Sequence, residues 1–182
     1  MKAKTNAKLS VRDICYIGVF AAIIGVCAQI RIPTVVPFTM QTFAIAFAGI
    51  VLGAKNGALA TIVYVLLGGF GAPVFAGFTS GVRIITGPTG GFILSFPAIA
   101  LAAGFCAAKG GKLWLGLGLA VGTAVNYLCG MIWFGFIMST DLYTAFTLSV
   151  SPFLLPDAVK MVLAAGLGTY VKLALVKNRL LY

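Results

Sequence analysis

The stretch PFLLPDAVKMVLAAGLGTY, residues 152–170, is long enough to cross a membrane and carries one acidic and one basic side chain near its start. Asp157 and Lys160 are three positions apart, so a helix would place them on one face. An aspartate just after Pro156 complements the helix dipole, and a lysine one turn later can pair with it or extend towards the interface. Charged residues inside membrane spans also mark ligand and ion sites, and the scarcity of carboxylates in this chain favours that second interpretation.

The rest of the chain is as apolar as this segment. Its 182 residues are 61% hydrophobic and 9% charged, with a mean hydropathy of +1.10. Such a chain cannot cover itself with a water-compatible surface, and it has room for about six helices of roughly 20 residues. We therefore predict an all-α integral membrane protein with six transmembrane helices, formed by a single domain over residues 10–178 after a basic cytoplasmic tail, residues 1–9.

Apolar runs and the residues that interrupt them predict where the spans lie. The weakest interruption is AKNG, residues 54–57, which we take as the division between spans two and three. The first apolar run lacks a convincing cleavage site, so we expect it to remain as a span. The predicted spans are residues 13–30, 39–54, 57–70, 89–108, 112–138 and 154–176.

Basic residues predict the orientation of these spans. With six spans both termini share one side, and that side collects Lys2, Lys4, Lys8, Arg12, Lys55, Lys109, Lys112, Lys172, Lys177 and Arg179, against Arg31 and Arg83 in the other loops. Because Lys and Arg in short loops stay inside, both termini are predicted to be cytoplasmic. The net charge of +10 then reflects topology and contact with membrane lipid, and we expect no nucleic-acid partner.

This orientation predicts a ligand pocket towards the outer face. Spans two, four and six begin there, and each start carries a proline, Pro37, Pro88 and Pro156. Proline suits the first helical turn, so we expect three helix N-termini with free N–H groups to meet at this level. Such termini favour an anionic ligand group, and the cations Arg31 and Arg83 lie near them.

The connection between spans three and four, residues 68–91, is the longest glycine-rich segment of the chain. Its glycines permit tight turns, and Phe75 offers a flat apolar face. The segment is either a wall or lid of the pocket, or an ordinary loop whose aromatic rings sit in the membrane interface. The local sequence favours neither interpretation.

Two polar side chains and a group of small residues are further candidates. Asn126 lies in mid-span between Gly122 and Gly130, so its amide either bridges to a neighbouring helix or faces the ligand. Gln41 has the same two interpretations closer to the pocket. Small residues let another helix approach closely, and in the first span they are Gly18, Ala21, Ala22 and Gly25.

Missing residue types narrow the chemistry. The chain has no histidine and three acidic residues, which makes a metal site or paired-carboxylate hydrolysis improbable. No GxxxxGK[ST] phosphate-binding loop occurs, so ATP hydrolysis is not expected of this chain itself. The four cysteines form no CxxC pair. We therefore predict a protein that is not an enzyme and that holds neither a metal nor a cofactor.

Three segments together resemble one family. They are PFTMQTFAIAFAGIVLGAKNGALATIVYVLLGGFGAPVFAGF (residues 37–78), GPTGGFILSFP (residues 87–97) and LPDAVK (residues 155–160). In this order and spacing they are similar to the BioY family, the biotin-binding S components of energy-coupling factor (ECF) transporters. The likeness covers about residues 10–175. The three segments together identify the family specifically, although each segment alone is weak evidence for it.

The resemblance implies a six-helix protein of the cell membrane that takes up biotin from outside. Energy would come from a partner module of two ABC ATPases and a transmembrane coupling protein, which fits the missing phosphate-binding loop. S components carry small-residue motifs on the first helix that dock the coupling protein. Here Gly18, Ala21, Ala22 and Gly25 match that pattern only loosely.

The family's DxxK motif implies that Asp157 and Lys160 bind the ligand. Asp157 can accept from the ureido N–H groups of biotin, and Lys160 either donates to the ureido carbonyl or keeps Asp157 ionised. Our topology argument, and not the motif, adds further ligand contacts: Arg83 or the helix start at Thr89, Gly90 and Gly91 for the biotin carboxylate, together with Asn126, Gln41 and Phe75.

Three alternatives remain at this point. One is an S component for another vitamin such as thiamine or riboflavin, although such ligands should prefer tryptophans and acidic residues that the outer region lacks. Another is a stand-alone secondary transporter that uses Asp157 as a proton relay. The last is a structural membrane scaffold that binds no small molecule.

Overall fold

A computed structural model describes residues 9–178 and residue 180 as a bundle of long helices. Residues 1–8, with Lys2, Lys4 and Lys8 of the predicted basic tail, and Arg179 lie outside the described part. The long helices are α1 (Val11–Gln29), α2 (Gln41–Gly69), α4 (Gly90–Lys109), α5 (Lys112–Met138) and α7 (Leu154–Lys177). Shorter elements are β1 (Arg31–Ile32), β2 (Phe38–Thr39), α3 (Val82–Ile85), α6 (Leu142–Ser149) and a 3₁₀ turn (Ser151–Phe153).

Five helical segments of the described residues are long and apolar enough to cross a membrane, with α6, the 3₁₀ turn and α7 forming one of them. Four predicted spans match α1, α4, α5 and α7 to within two residues at each end. Local residues explain several of these boundaries. Ser10 and Asp13 form a reciprocal capping box at the start of α1, and α5 follows Gly110 and Gly111, both with positive φ.

The structure divides this segment as predicted, but at Gly53, one residue before AKNG, residues 54–57. The non-helical residue is Gly53, with φ 80° and ψ 171°, and residues 54–57 continue the helix on its far side. The chain reverses there, because a Cβ added to Gly57 would lie 2.6 Å from the Cα of Gly49, whereas eight residues of straight helix span about 12 Å. The charged and polar residues of AKNG suggested a turn there. The break lies one residue earlier because it requires a positive φ, which glycine adopts easily.

The predicted placement of the prolines is only partly right. Pro156 lies in the first turn of α7, but Pro37 precedes β2 and Pro88 lies before the N-cap residue of α4, Thr89. A β-hairpin of β1 and β2, with Arg31 opposite Thr39, occupies the approach to α2. The start of α2 is therefore positioned by this hairpin rather than by a proline in its first turn.

Helix α4 lies between α2 and α5, and α1 and α7 pack against α2. Glycines bring these backbones together. A Cβ on Gly49 would meet the backbone oxygen of Ala100 at 2.4 Å, and one on Gly104 would meet Ala54 N at 2.3 Å. Because α5 and α7 touch little, an apolar groove of about 930 Å³ separates them on the bundle surface. The close packing of α2 with α4 fixes the helix ends that surround a second, more polar cavity.

Candidate ligand-binding site

The second cavity has a volume of about 280 Å³, close to the lower end of the range of about 300–1,000 Å³ found for small-molecule sites. It lies among the starts of α2, α4 and α7, the middle of α5 at Asn126 and Tyr127, and the loop between α2 and α3. Its lining combines apolar rings with a few polar groups, which is typical of such sites. The lining residues are Arg31, Val36, Pro37, Thr39, Gln41, Thr42, Phe75, Ala76, Thr79, Ile84, Thr89, Phe92, Ile93, Phe96, Asn126, Tyr127, Ser149, Phe153, Asp157 and Lys160.

Asp157 is the centre of the polar network in this cavity. It sits in the first turn of α7 and is 4% exposed. Its Oδ1 accepts from Lys160 Nζ at 2.6 Å and from Thr42 Oγ1 at 3.3 Å, and its Oδ2 accepts from the Tyr127 hydroxyl at 2.7 Å. A carboxylate has about four acceptor positions. Three donors from three helices therefore orient Asp157 and leave one position for a ligand N–H.

Lys160 is as deeply buried as its partner, with 4% of its surface exposed. Besides Asp157, its Nζ donates to the backbone oxygen of Thr39 at 2.6 Å. The same ammonium lies 3.7 Å from the centre of the Phe38 ring, a cation–π contact. Two of its three N–H groups are thus used by protein oxygens. Of the two roles expected for Lys160, this geometry favours pairing with Asp157 over donating to a ligand.

Gln41, the first residue of α2, also belongs to a protein network. Its Nε2 donates to the Tyr64 hydroxyl at 2.5 Å, and its Oε1 accepts from Thr39 Oγ1 at 2.8 Å. The Tyr64 hydroxyl in turn donates to the backbone oxygen of Val74 at 3.3 Å. Gln41 lines the cavity, but these bonds connect the β-hairpin to the loop after α2.

The Asn126 side chain bridges α5 to α4, the first of the two roles considered for it. Its Nδ2 donates to the Phe92 backbone oxygen and to Ser95 Oγ, both at 2.8 Å. Because a carbonyl oxygen can only accept, this contact fixes the orientation of the amide. Gly130 makes the approach of α4 possible, since a Cβ there would lie 2.2 Å from the Phe92 ring. Both amide hydrogens are used, so the Asn126 carbonyl oxygen is what a ligand could contact.

Phe75 and Thr89 line the cavity as expected, but Gly90 and Gly91 do not. Phe75 is 1% exposed, and its ring makes an edge contact with Tyr64 at 5.7 Å between centroids. The loop after α2 is therefore a wall of the cavity, which decides between the two interpretations given for it. Gly90 and Gly91 are packing positions, because a Cβ on either would collide with neighbouring atoms, 1.7 Å from Ile85 O and 2.4 Å from Trp133 Cβ respectively.

The structure brings Arg31, rather than Arg83, to the cavity lining. Arg83 is exposed on the short helix α3, although its neighbour Ile84 lines the cavity. The Arg31 guanidinium lies against Gly77, where a Cβ would be 2.5 Å from Cζ. Sequence analysis had noted both arginines at the outer level without a means of choosing between them.

Tyr127, like Thr42, bonds Asp157 in the cavity and was not among the predicted site residues. It lies on α5 beside Asn126, one position from the residue that was selected, and its hydroxyl contacts Asp157. In a sequence, a tyrosine within an apolar span is usually interpreted as a packing residue. Its role becomes visible only through the contact of its hydroxyl with Asp157 on α7.

The small residues of α1 divide into two pairs. Ala21 is 3% exposed and Gly25 faces Val74 inside the bundle. Gly18 and Ala22 are exposed on the surface of the helix, and a Cβ on Gly18 would meet no atom within 4 Å. Only Gly18 and Ala22 therefore remain accessible to another protein.

Comparison with known proteins agrees with this architecture. The BioY family model matches residues 1–177. The chain is 39% identical to a probable biotin transporter BioY of Pyrococcus horikoshii over 84% of this chain and 91% of the relative. It is 38% identical to a biotin transporter BioY of Thermotoga maritima over 88% and 96% of the two chains.

A solved structure also resembles this fold. It is the S component for biotin from an ECF-type ABC transporter, with a TM-score of 0.81 and 25% identity over 89% of this chain and 91% of that one. The family match covers nearly the whole chain, and the curated relatives are matched over almost their full length. The chain therefore belongs to the BioY family, a family of multi-pass membrane transporters rather than enzymes.

Proposed function

We propose that this chain is the biotin-binding membrane subunit, or S component, of an ECF transporter. The observation that carries the proposal is the buried Asp157–Lys160 pair, 2.6 Å apart, at the wall of a cavity sized for a small molecule, in a member of the BioY family. The chain has three acidic residues, and one of them forms this buried ion pair. Burying two charges costs desolvation free energy, which makes a purely structural role a poor explanation of the pair. Its position at the cavity fits a recognition role.

The chemistry of biotin fits the distribution of groups in the cavity. The fourth acceptor position of Asp157 and the Asn126 carbonyl oxygen suit the two ureido N–H donors. Phe92 and Phe153 offer apolar surface to the thioether ring. Arg31 at the cavity lining suits the carboxylate, together with the N-terminus of α4 at Thr89.

We further propose that the chain crosses the membrane six times with both termini in the cytoplasm. The two halves of α2 on either side of Gly53 would each be a crossing, since the chain reverses between them. The turn lies beside the start of α1, because Asn56 Nδ2 donates to Asp13 Oδ1 at 2.9 Å. Lys55 is exposed at this turn and can extend to the headgroups, which supports a cytoplasmic position.

The proposed subunit is one domain, residues 10–178, preceded by a basic cytoplasmic tail, residues 1–9. It would depend on two ABC ATPases and a transmembrane coupling protein for release of biotin inward. The exposed pair Gly18 and Ala22 on α1 is the docking face we assign to the coupling protein, since small residues allow close helix approach.

Mass spectrometry of the small molecule that copurifies with the detergent-solubilised chain tests this function. We expect biotin from cells grown with biotin, and none from the Asp157→Asn variant. Copurified thiamine or riboflavin would instead identify an S component for another vitamin. Biotin uptake that persists without the ATPase module and stops with an uncoupler would contradict the S-component mechanism and favour a secondary transporter.

A further inference from the structure

One side chain attaches the loop wall of the cavity to the end of α1. Gln29 is the last residue of α1, and its Nε2 lies within hydrogen-bond distance of Val74 O at 3.3 Å and Phe75 O at 3.1 Å. Its Oε1 accepts from Phe78 N at 2.8 Å, and its Nε2 also reaches Gly25 O at 3.0 Å on its own helix. The two Nε2 hydrogens are shared among these three oxygens. A single amide therefore bonds the loop at Phe78 and at Val74 or Phe75.

The loop residues it binds belong to a tight turn, residues 74–79, which we name the cap. An antiparallel bridge joins Phe75 to Thr79, and the turn between them places Gly77 and Phe78 at positive φ, 75° and 57°. Phe75, Ala76 and Thr79 line the cavity. Gln29 itself is not among the lining residues, so it does not need to touch a ligand to affect one.

The cap has other attachments that keep its shape. Val74 O also accepts from the Tyr64 hydroxyl at 3.3 Å, and the Phe75 ring packs so closely on Gly68 that a Cβ there would lie 2.2 Å from it. These contacts hold one end of the cap to α2. The Gln29 bonds hold the cap to α1. One of them is made by the backbone N–H of Phe78, a residue exposed at the far end of the cap.

We propose that Gln29 is a positioning residue that keeps the cap closed over the cavity and so sets how slowly bound ligand escapes outward. This inference rests on the proposed function for the identity of the ligand. It adds that α1, which carries the exposed pair Gly18 and Ala22, is the helix that secures the cap. Displacement of the α1 end removes the Gln29 bonds, while the contacts of the cap with α2 through Tyr64 and Gly68 remain.

Three substitutions separate this role from general packing. Gln29→Ala removes the amide, and Gln29→Met keeps a similar length without hydrogen bonds. Gln29→Glu still accepts from Phe78 N but places a carboxylate against the oxygens of Val74 and Phe75. The matched control is Asn178→Ala, which removes a side-chain amide bonded to a backbone oxygen, Ala174 O at 2.8 Å, at the other end of the chain.

The test measures release and association of labelled biotin with the full chain in lipid nanodiscs. For Gln29→Ala and Gln29→Met we expect release about tenfold faster than wild type, as the loss of one to two net hydrogen bonds implies. Gln29→Glu should release at least as fast, while association changes by less than about threefold because affinity differences lie mostly in dissociation. Asn178→Ala should behave as wild type.

Hydrogen exchange of the cap amides in the same samples, measured without biotin, gives an independent readout. Faster exchange at Phe75 and Phe78 in Gln29→Ala and Gln29→Met, with unchanged exchange in α4, supports the proposal even if the ligand proves to be another molecule. Wild-type release and wild-type cap exchange in Gln29→Met overturn it. A wild-type chain that binds no biotin contradicts the proposed function, and the exchange result then decides the role of Gln29 separately.

Discussion

At the scale of single residues, Asp157 and Lys160 act as one unit. Both are 4% exposed, so removing either charge leaves the other buried without its counter-ion. Breaking such a pair typically costs about 3–5 kcal/mol, whereas replacing both partners by neutral groups is often close to neutral. This asymmetry allows the structural and recognition roles of the pair to be separated.

We predict that Asp157→Asn and Lys160→Met each lower both thermal stability and biotin affinity, the latter by about a hundredfold or more. The double variant should recover most of the stability and none of the affinity, because no charge remains unpaired and the acceptor is still missing. Thermal unfolding and calorimetric titration of the three proteins measure this. Asp141→Asn, at an exposed carboxylate capping α6, is the control, and full affinity in the double variant would contradict the assignment.

Arg31, which lines the cavity, and Arg83, which does not, also differ at this scale. We predict that Arg31→Ala weakens biotin binding by about tenfold or more, as loss of a charge-assisted hydrogen bond implies, while Arg83→Ala has a smaller effect. Biotin methyl ester should bind wild type less tightly than biotin and should bind Arg31→Ala about as tightly as biotin does. Competition titrations provide both comparisons, and an ester that matches biotin on wild type would argue against a carboxylate contact.

At the scale of elements, glycines let the helices approach closely, and this close packing determines where the cavity lies. Gly49 lets the first half of α2 rest on α4, whose other face packs on α5, so the starts of these helices are fixed relative to one another. Bulk added at this point pushes apart the elements that carry Gln41, Phe92 and Asn126. The effect on the ligand site is therefore indirect and acts through stability.

We predict that Gly49→Val lowers the melting temperature by several degrees, because overpacking a tight contact costs about 1–3 kcal/mol. The matched control is Gly18→Val, at a glycine of α1 with no atom within 4 Å of an added Cβ, which should leave stability and biotin affinity unchanged. Thermal unfolding in detergent measures both. Equal stability of the two variants would contradict the observed packing of α2 on α4.

The elements also show which features the sequence could predict. Span α5 was predicted with its observed bounds because Gly110, Gly111 and Lys112 interrupt the apolar pattern clearly. The reversal at Gly53 was misplaced since a glycine with positive φ resembles any other glycine in the sequence. Gln29 was not selected at all, because its partners are backbone atoms of residues 74–78, which no side-chain pattern reveals. Asp157 and Lys160 were found because buried charges in apolar spans are rare.

At the scale of the whole molecule, the proposed ligand cavity and the proposed docking pair lie on different surfaces. The cavity lies at the starts of α2, α4 and α7, whereas Gly18 and Ala22 face outward from α1. We therefore expect the chain to bind its ligand without the proposed partner module.

We predict that Ala22→Leu prevents assembly with the coupling protein while biotin affinity of the isolated chain stays within about twofold of wild type, since small residues permit close helix contact. Copurification with the ECF module and biotin titration measure the two properties. Gly116→Leu, an exposed position on α5 where an added Cβ would meet no atom within 4 Å, is the control for added bulk. Normal assembly of Ala22→Leu would contradict the docking face.

The central claim is that this chain binds biotin through the buried pair in its cavity. It is tested by equilibrium titration of biotin into the purified full chain and into the Asp157→Asn/Lys160→Met double variant, once thermal unfolding has shown that variant to be folded. The account predicts saturable binding of one biotin per chain by wild type and at least a hundredfold weaker binding by the folded double variant. Absence of saturable binding to wild type, or equal binding by both proteins, would contradict it.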